Sequence, residues 1–146
     1  SKYSQAWDFK YTDGSLVKEF EVLLKFLKIT ATNNIEIVLF TNPFHERFWD
    51  ILRINSLYGQ HNEWLKELES LVGTFNSEQA KSVSLWDFSE DSPFIHEAVP
   101  DNSSVKVPLA WFWEPAHYRR QLGDLMLETM LNVECGSRKH FGRRLL

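Results

Sequence analysis

The chain has 146 residues, 43% hydrophobic and 25% charged, a globular composition long enough to bury a core in one domain, 1–146. Its formal net charge of -4 leaves no overall basic footprint for nucleic-acid phosphates, and basic character is local, as at Arg119 and Arg120. The single Cys135 excludes an internal disulfide and Cys-rich zinc spacing, and no apolar run approaches the roughly 20 residues of a membrane helix.

In chain order, residues 1–13 show no helical period and read as an N-terminal arm, in which Trp7, Phe9 and Tyr11 alternate as in a strand. Ser1-Lys2-Tyr3-Ser4 has no signal-type apolar core, and a start without Met reads as a processed end, a tag remnant or an excised segment. Asp13-Gly14-Ser15 is a turn before a helix from Leu16 to about Thr30, where Leu16, Phe20, Leu23, Leu24 and Leu27 repeat at helical spacing. Thr32-Asn33-Asn34 breaks it, and Ile35 to Phe40 reads as a buried strand. Asn42 and Pro43 then suit the cap and first position of a second helix burying Phe44, Phe48, Ile51 and Leu52. Tyr58-Gly59 is read as its end. A third helix carries Trp64, Leu65, Leu68, Leu71 and Val72 up to Gly73, with a polar loop at 74–81.

Val83 to Phe88 is a second strand, and 89–106 a long loop of the kind that often carries function. Val107 to Trp113 reads as a third strand. Glu114-Pro115 starts a last helix striped by Tyr118, Leu122, Leu125, Met126 and Met130, and Gly136 ends it before a basic tail. This alternation predicts a layered α/β/α domain with a small, mostly parallel sheet, which places ligands beyond the carboxyl ends of its strands. Its unpaired edges call for the arm or a second chain, so a homodimer is expected.

The segment Trp111 to Tyr118 holds the chemistry of most interest, because Glu114 and His117 stand three residues apart at a strand-to-helix junction. A carboxylate that orients one imidazole nitrogen readies the other as a general base. A capping Glu and a first-turn His that only packs have the same spacing. Asn42 and His45 follow the first strand toward the same rim, and Trp113 offers a ring for stacking, alongside the simpler reading of core packing with Trp111. His45, His117, Glu114 and Asp87 are types that suit divalent ions, yet nothing like His-Glu-x-x-His occurs, so neither metal nor cofactor is expected. Ser89 and Ser92, near Asp91 and His96, suit turn chemistry as well as a triad.

Glu114-Pro115-Ala116-His117 resembles the last block of the SGNH hydrolases, Asp-x-x-His, with Glu in place of Asp. Leu85 to Ser89, Trp111 to Glu114 with His117-Tyr118, Gly123-Asp124-Leu125, Phe141 to Leu145 and Leu39 to His45 together resemble the C-terminal part of uncharacterised bacterial SGNH-like proteins, over roughly residues 15–145. The resemblance implies a partial SGNH or flavodoxin-like fold, with Glu114 and His117 as an acid–base pair acting on a small ester or glycan. It also implies a nucleophilic serine in a Gly-Asp-Ser block, which this sequence lacks, since Gly123-Asp124 falls in the predicted last helix. Catalysis is therefore conditional on a serine from outside this chain. Two readings follow, a non-catalytic binding or assembly module and a part of an SGNH-like esterase or acyltransferase.

Overall fold

The computed structural model describes residues 17–79, 82–89, 92–100, 108–133 and 141–146; the predicted arm, the end of the long loop and Gly136 lie outside them. The order is α1 (Lys18–Thr32), β1 (Val38–Thr41), α2 (Glu46–Ile54), α3 (Tyr58–Ser77), β2 (Ser84–Asp87), β3 (Phe112–Glu114), β4 (His117–Tyr118), α4 (Arg120–Leu131) and β5 (Arg143–Arg144). The chain is thus a mixed α/β protein. Strands β1, β2 and β5 form one sheet in that order, and β3 and β4 form a second of two strands.

The expected mostly parallel sheet is not what these strands make, since β5 runs antiparallel to β2 and β4 antiparallel to β3. The basic tail supplies β5, with Trp86 opposite Arg144 and Asp87 opposite Arg143. Two-residue strands give little hydrophobic alternation to read. Residues 108–111 are not strand, and α4 starts at Arg120, because Pro115 and Ala116 form a two-residue hairpin loop instead of a first helical turn.

Three helices stop by the same device. Asn34, Ser56 and Asn132 take left-handed backbone, with φ of 58°, 57° and 51°. The next residue's N–H then reaches back five positions, from Ile35 to the Thr30 carbonyl (2.9 Å), Leu57 to Leu52 (2.8 Å) and Val133 to Glu128 (3.0 Å). This Schellman geometry satisfies carbonyls that the helix end would orphan. Consequently α2 ends before Tyr58-Gly59, which begin α3, and α3 continues through Gly73 to Ser77. Its exit is set by Asn76, whose side chain pairs with both the N–H (2.7 Å) and the carbonyl (2.9 Å) of Val83. Pro43 lies ahead of α2 rather than at its first position.

The chain divides into two compact units. In the first, comprising residues up to Leu39, Leu52–Leu85 and Leu145–Leu146, a hydrophobic core joins Phe20 and Leu27 of α1, Leu68, Leu71, Val72 and Phe75 of α3, and Val83 and Leu85 at β2. Phe20, Leu23, Leu24 and Leu27 are the predicted stripe of α1.

The second unit, Phe40–Ile51 and Trp86–Arg144, is built from rings. Phe88 meets Phe40, Trp86 and Phe141 at centroid distances of 6.4, 6.1 and 5.1 Å, and Phe94 meets Phe141 at 5.1 Å and Trp111 at 4.5 Å. Phe44 stacks on Phe48 at 4.4 Å and meets the edge of the buried Trp49. Most of the unit's aromatic residues are thereby accounted for by packing, each large ring burying apolar area in a preferred edge or offset geometry.

Candidate functional site

The β3–β4 hairpin brings Glu114 and His117 together as cross-strand partners over the loop Pro115-Ala116. On β3, Trp113 is the extra residue of a bulge between Phe112, opposite Tyr118, and Glu114. A bulge re-aims the side chains beside it. Phe112 faces inward, whereas Trp113 and Glu114 are exposed.

The Glu114 carboxylate accepts from the Ala116 N–H at 3.1 Å and from His117 Nδ1. A carboxylate is an acceptor only, so Nδ1 carries the proton and Nε2 keeps the free lone pair of the neutral ring. Partial burial pushes the Glu114 carboxyl upward, but the Ala116 and His117 bonds outweigh it and hold the group below its ordinary value of 4.5. The side chains are 48% and 78% exposed, so the pair stands open to solvent rather than in a cleft.

His45 is brought to this hairpin, but as part of its support. Its backbone N–H donates to the Pro115 carbonyl (3.0 Å), its ring is 1% exposed, and Nε2 donates to the Glu97 carbonyl (2.8 Å) while Nδ1 accepts from the Arg47 N–H (3.2 Å). With both nitrogens engaged, the His45 ring is closed to a ligand. Asn42 is exposed after β1, and no hydrogen bond ties it to Glu114 or His117. Trp113 is 67% exposed and carries the Arg119 guanidinium over its ring at 4.2 Å, while Trp111 packs on Phe94. The two tryptophans therefore occupy different environments.

Asp87 and Ser89 form a separate, buried centre. Asp87 Oδ1 accepts from Thr41 Oγ1 (2.6 Å), Ser89 Oγ (2.6 Å) and Ser89 N–H (3.0 Å), and Arg143 lies 3.4 Å from Oδ2. Burial pushes the Asp87 carboxyl up, and the Ser89, Thr41 and Arg143 interactions together hold it below its ordinary value of 3.8. The Ser92 hydroxyl accepts from the Phe94 N–H at 3.2 Å, a turn contact, and neither serine hydroxyl is hydrogen-bonded to a histidine. Among the described residues, no three of His, Cys, Asp and Glu converge as a metal site.

Sequence reading missed Glu97, whose carboxylate accepts from the N–H groups of Ala110 and Trp111 (2.9 Å), and Arg119, whose side chain reaches the Leu109 carbonyl. Glu97 gives no local signal, because its partners lie thirteen and fourteen residues away. Asp87-x-Ser89 did carry one, the short-range turn bond of an Asp side chain two residues on. No family model, curated protein or solved structure matches the chain.

Proposed function

We propose that this chain is an SGNH-like module of layered α/β type that, in isolation, binds or assembles without catalysing a reaction. The observation that carries the reading is the state of its hydroxyls. In the unit that holds Glu114 and His117, each described serine and threonine is engaged elsewhere: Ser89 and Thr41 on Asp87, Ser92 on Phe94, and Thr129 on the Leu125 carbonyl at 3.0 Å. Exposed apolar side chains favour association as the module's role. Val22, Phe26 and Ile29 on α1 are 55%, 47% and 61% exposed, and Leu127 and Leu131 on α4 are 52% and 62% exposed. Grouped exposed apolar side chains of this kind mark interaction surfaces.

The geometry of Glu114 and His117 favours a second reading, that the module contributes the acid–base half of an esterase or acyltransferase site completed by a serine from outside this chain. In that mechanism Nε2 takes the proton of the serine hydroxyl as it attacks an ester carbonyl, and Glu114 stabilises the imidazolium. His117 then returns the proton to the leaving alcohol.

Short-chain nitrophenyl ester assays separate the two. The isolated chain is expected to hydrolyse them no faster than its His117→Ala variant; saturable turnover lost in that variant would overturn the non-catalytic reading. For assembly we expect a two-fold homodimer, so sedimentation at micromolar concentration should give about twice the 17.2 kDa chain mass. A single species at the chain mass would reject it.

A further inference from the structure

We infer that Glu97 and His45 are positioning residues for the Glu114–His117 pair, an inference resting on the reading of that pair as an acid–base unit. A two-stranded hairpin of three and two residues has little stability of its own. The orientation of its side chains must then be set from outside. Two contacts bracket the strand that carries Glu114: Glu97 binds the N–H groups of Ala110 and Trp111 just before it, and the His45 N–H binds the Pro115 carbonyl just after it.

The two contacts are one system. His45 Nε2 donates to the carbonyl of Glu97 itself at 2.8 Å, and the acceptor role of Nδ1 toward Arg47 fixes the tautomer that makes this donation. The His45 ring also meets Phe112 edge-on at 5.4 Å, beneath the first residue of β3. Next to it, the Glu46 N–H binds the Ile95 carbonyl (2.9 Å) and its carboxylate pairs with His96 Nδ1 (2.7 Å), joining the start of α2 to residues 95–97. A continuous path therefore runs from Trp111 through Glu97 and His45 to Pro115. It sets the strand against the loop, and so the carboxylate against Nδ1 of His117.

The test is solution NMR of the full labelled chain, read without substrate. The wild type is expected to give a Glu114 midpoint below 4.5 and, by its ¹⁵N shifts, the Nδ1–H tautomer of the neutral His117 ring. Glu97→Ala is expected to return the Glu114 midpoint toward 4.5 and move His117 toward the Nε2–H tautomer, with Glu97→Gln, which keeps one acceptor oxygen, in between. Leu27→Ala, a destabilising change in the other unit, should move neither signal. If Glu97→Ala does not fold, Glu97→Gln and His45→Asn provide the same reading. Folded variants that keep both wild-type signatures would overturn the inference. Failure to hydrolyse esters would leave it standing, because neither signal depends on turnover.

Discussion

Replacing Asp87 tests how much of the second unit depends on one buried carboxylate. The residue is 7% exposed, and a single oxygen, Oδ1, receives the Thr41 hydroxyl, the Ser89 hydroxyl and the Ser89 N–H. A hydrogen bond to a charged group contributes about 1.5–3 kcal/mol, and a buried donor left without a partner costs about 1–3 kcal/mol. The two hydroxyls can rotate toward other acceptors while the amide cannot, so the three losses do not add. Asp87→Ala should then cost about 3–5 kcal/mol. Arg143 adds little, because its side chain is 70% exposed and solvent screens it. With a urea m-value of about 1.5 kcal/mol/M, the midpoint falls by roughly 2–3 M. Asp87→Asn retains the accepting oxygen and should lose only about 1–2 kcal/mol.

The pH dependence has a definite sign. The folded carboxyl is held below 3.8, so its contribution is complete above that value and is lost as pH falls through the folded-state value, where the native carboxylate takes up its proton. The gap between wild type and Asp87→Asn should accordingly narrow on acidification below pH 3.8. Urea titrations followed by tryptophan fluorescence measure both effects. An Asp87→Ala midpoint within about 0.5 M of wild type, or an Asn variant as unstable as the Ala variant, would refute the reasoning.

Gly142 has φ +84°, and a Cβ there would run into the Phe88 ring, with Cζ at 3.1 Å and two ring carbons closer still. Gly142→Ala should thus lower stability by about 2–4 kcal/mol, and a thermal midpoint equal to wild type would contradict the packing described. Gly73 lies inside α3 with nothing within 4 Å of an added Cβ, so Gly73→Ala should raise stability by about 0.5–1 kcal/mol; any loss in urea unfolding would count against that placement. The Glu46–His96 pair is 44% and 65% exposed, so Glu46→Gln should change the urea-derived stability by less than about 0.5 kcal/mol at neutral pH.

Periodicity in the sequence located the four described helices and strand β2, because those segments repeat a hydrophobic interval, and a short, nearly all-apolar run located β1. The three-residue spacing of Glu114 and His117 likewise identified the pair that the fold brings together. The ends of the elements were less legible. Glycine was taken as the stop signal at Gly59, Gly73 and Gly136, whereas α2 and α4 stop at Ser56 and Asn132, whose left-handed backbone is sustained by the bond to the fifth preceding carbonyl. Nothing local separates Ser56 from an ordinary helical serine until that bond exists. For the same reason Pro115 read as a helix start: it serves the first helical turn and a two-residue loop alike, and the pairing of Phe112 with Tyr118 decides between them. The role of His45 was hidden further. A histidine after a strand could face solvent or core, and its burial follows from Glu97 and Phe112 arriving from distant parts of the second unit, while the Arg47 N–H beside it fixes the ring tautomer. Short-range chemistry was therefore written in the sequence, while the partners of buried polar groups were settled by tertiary structure, since a hydrogen bond across fifty residues leaves no periodic trace.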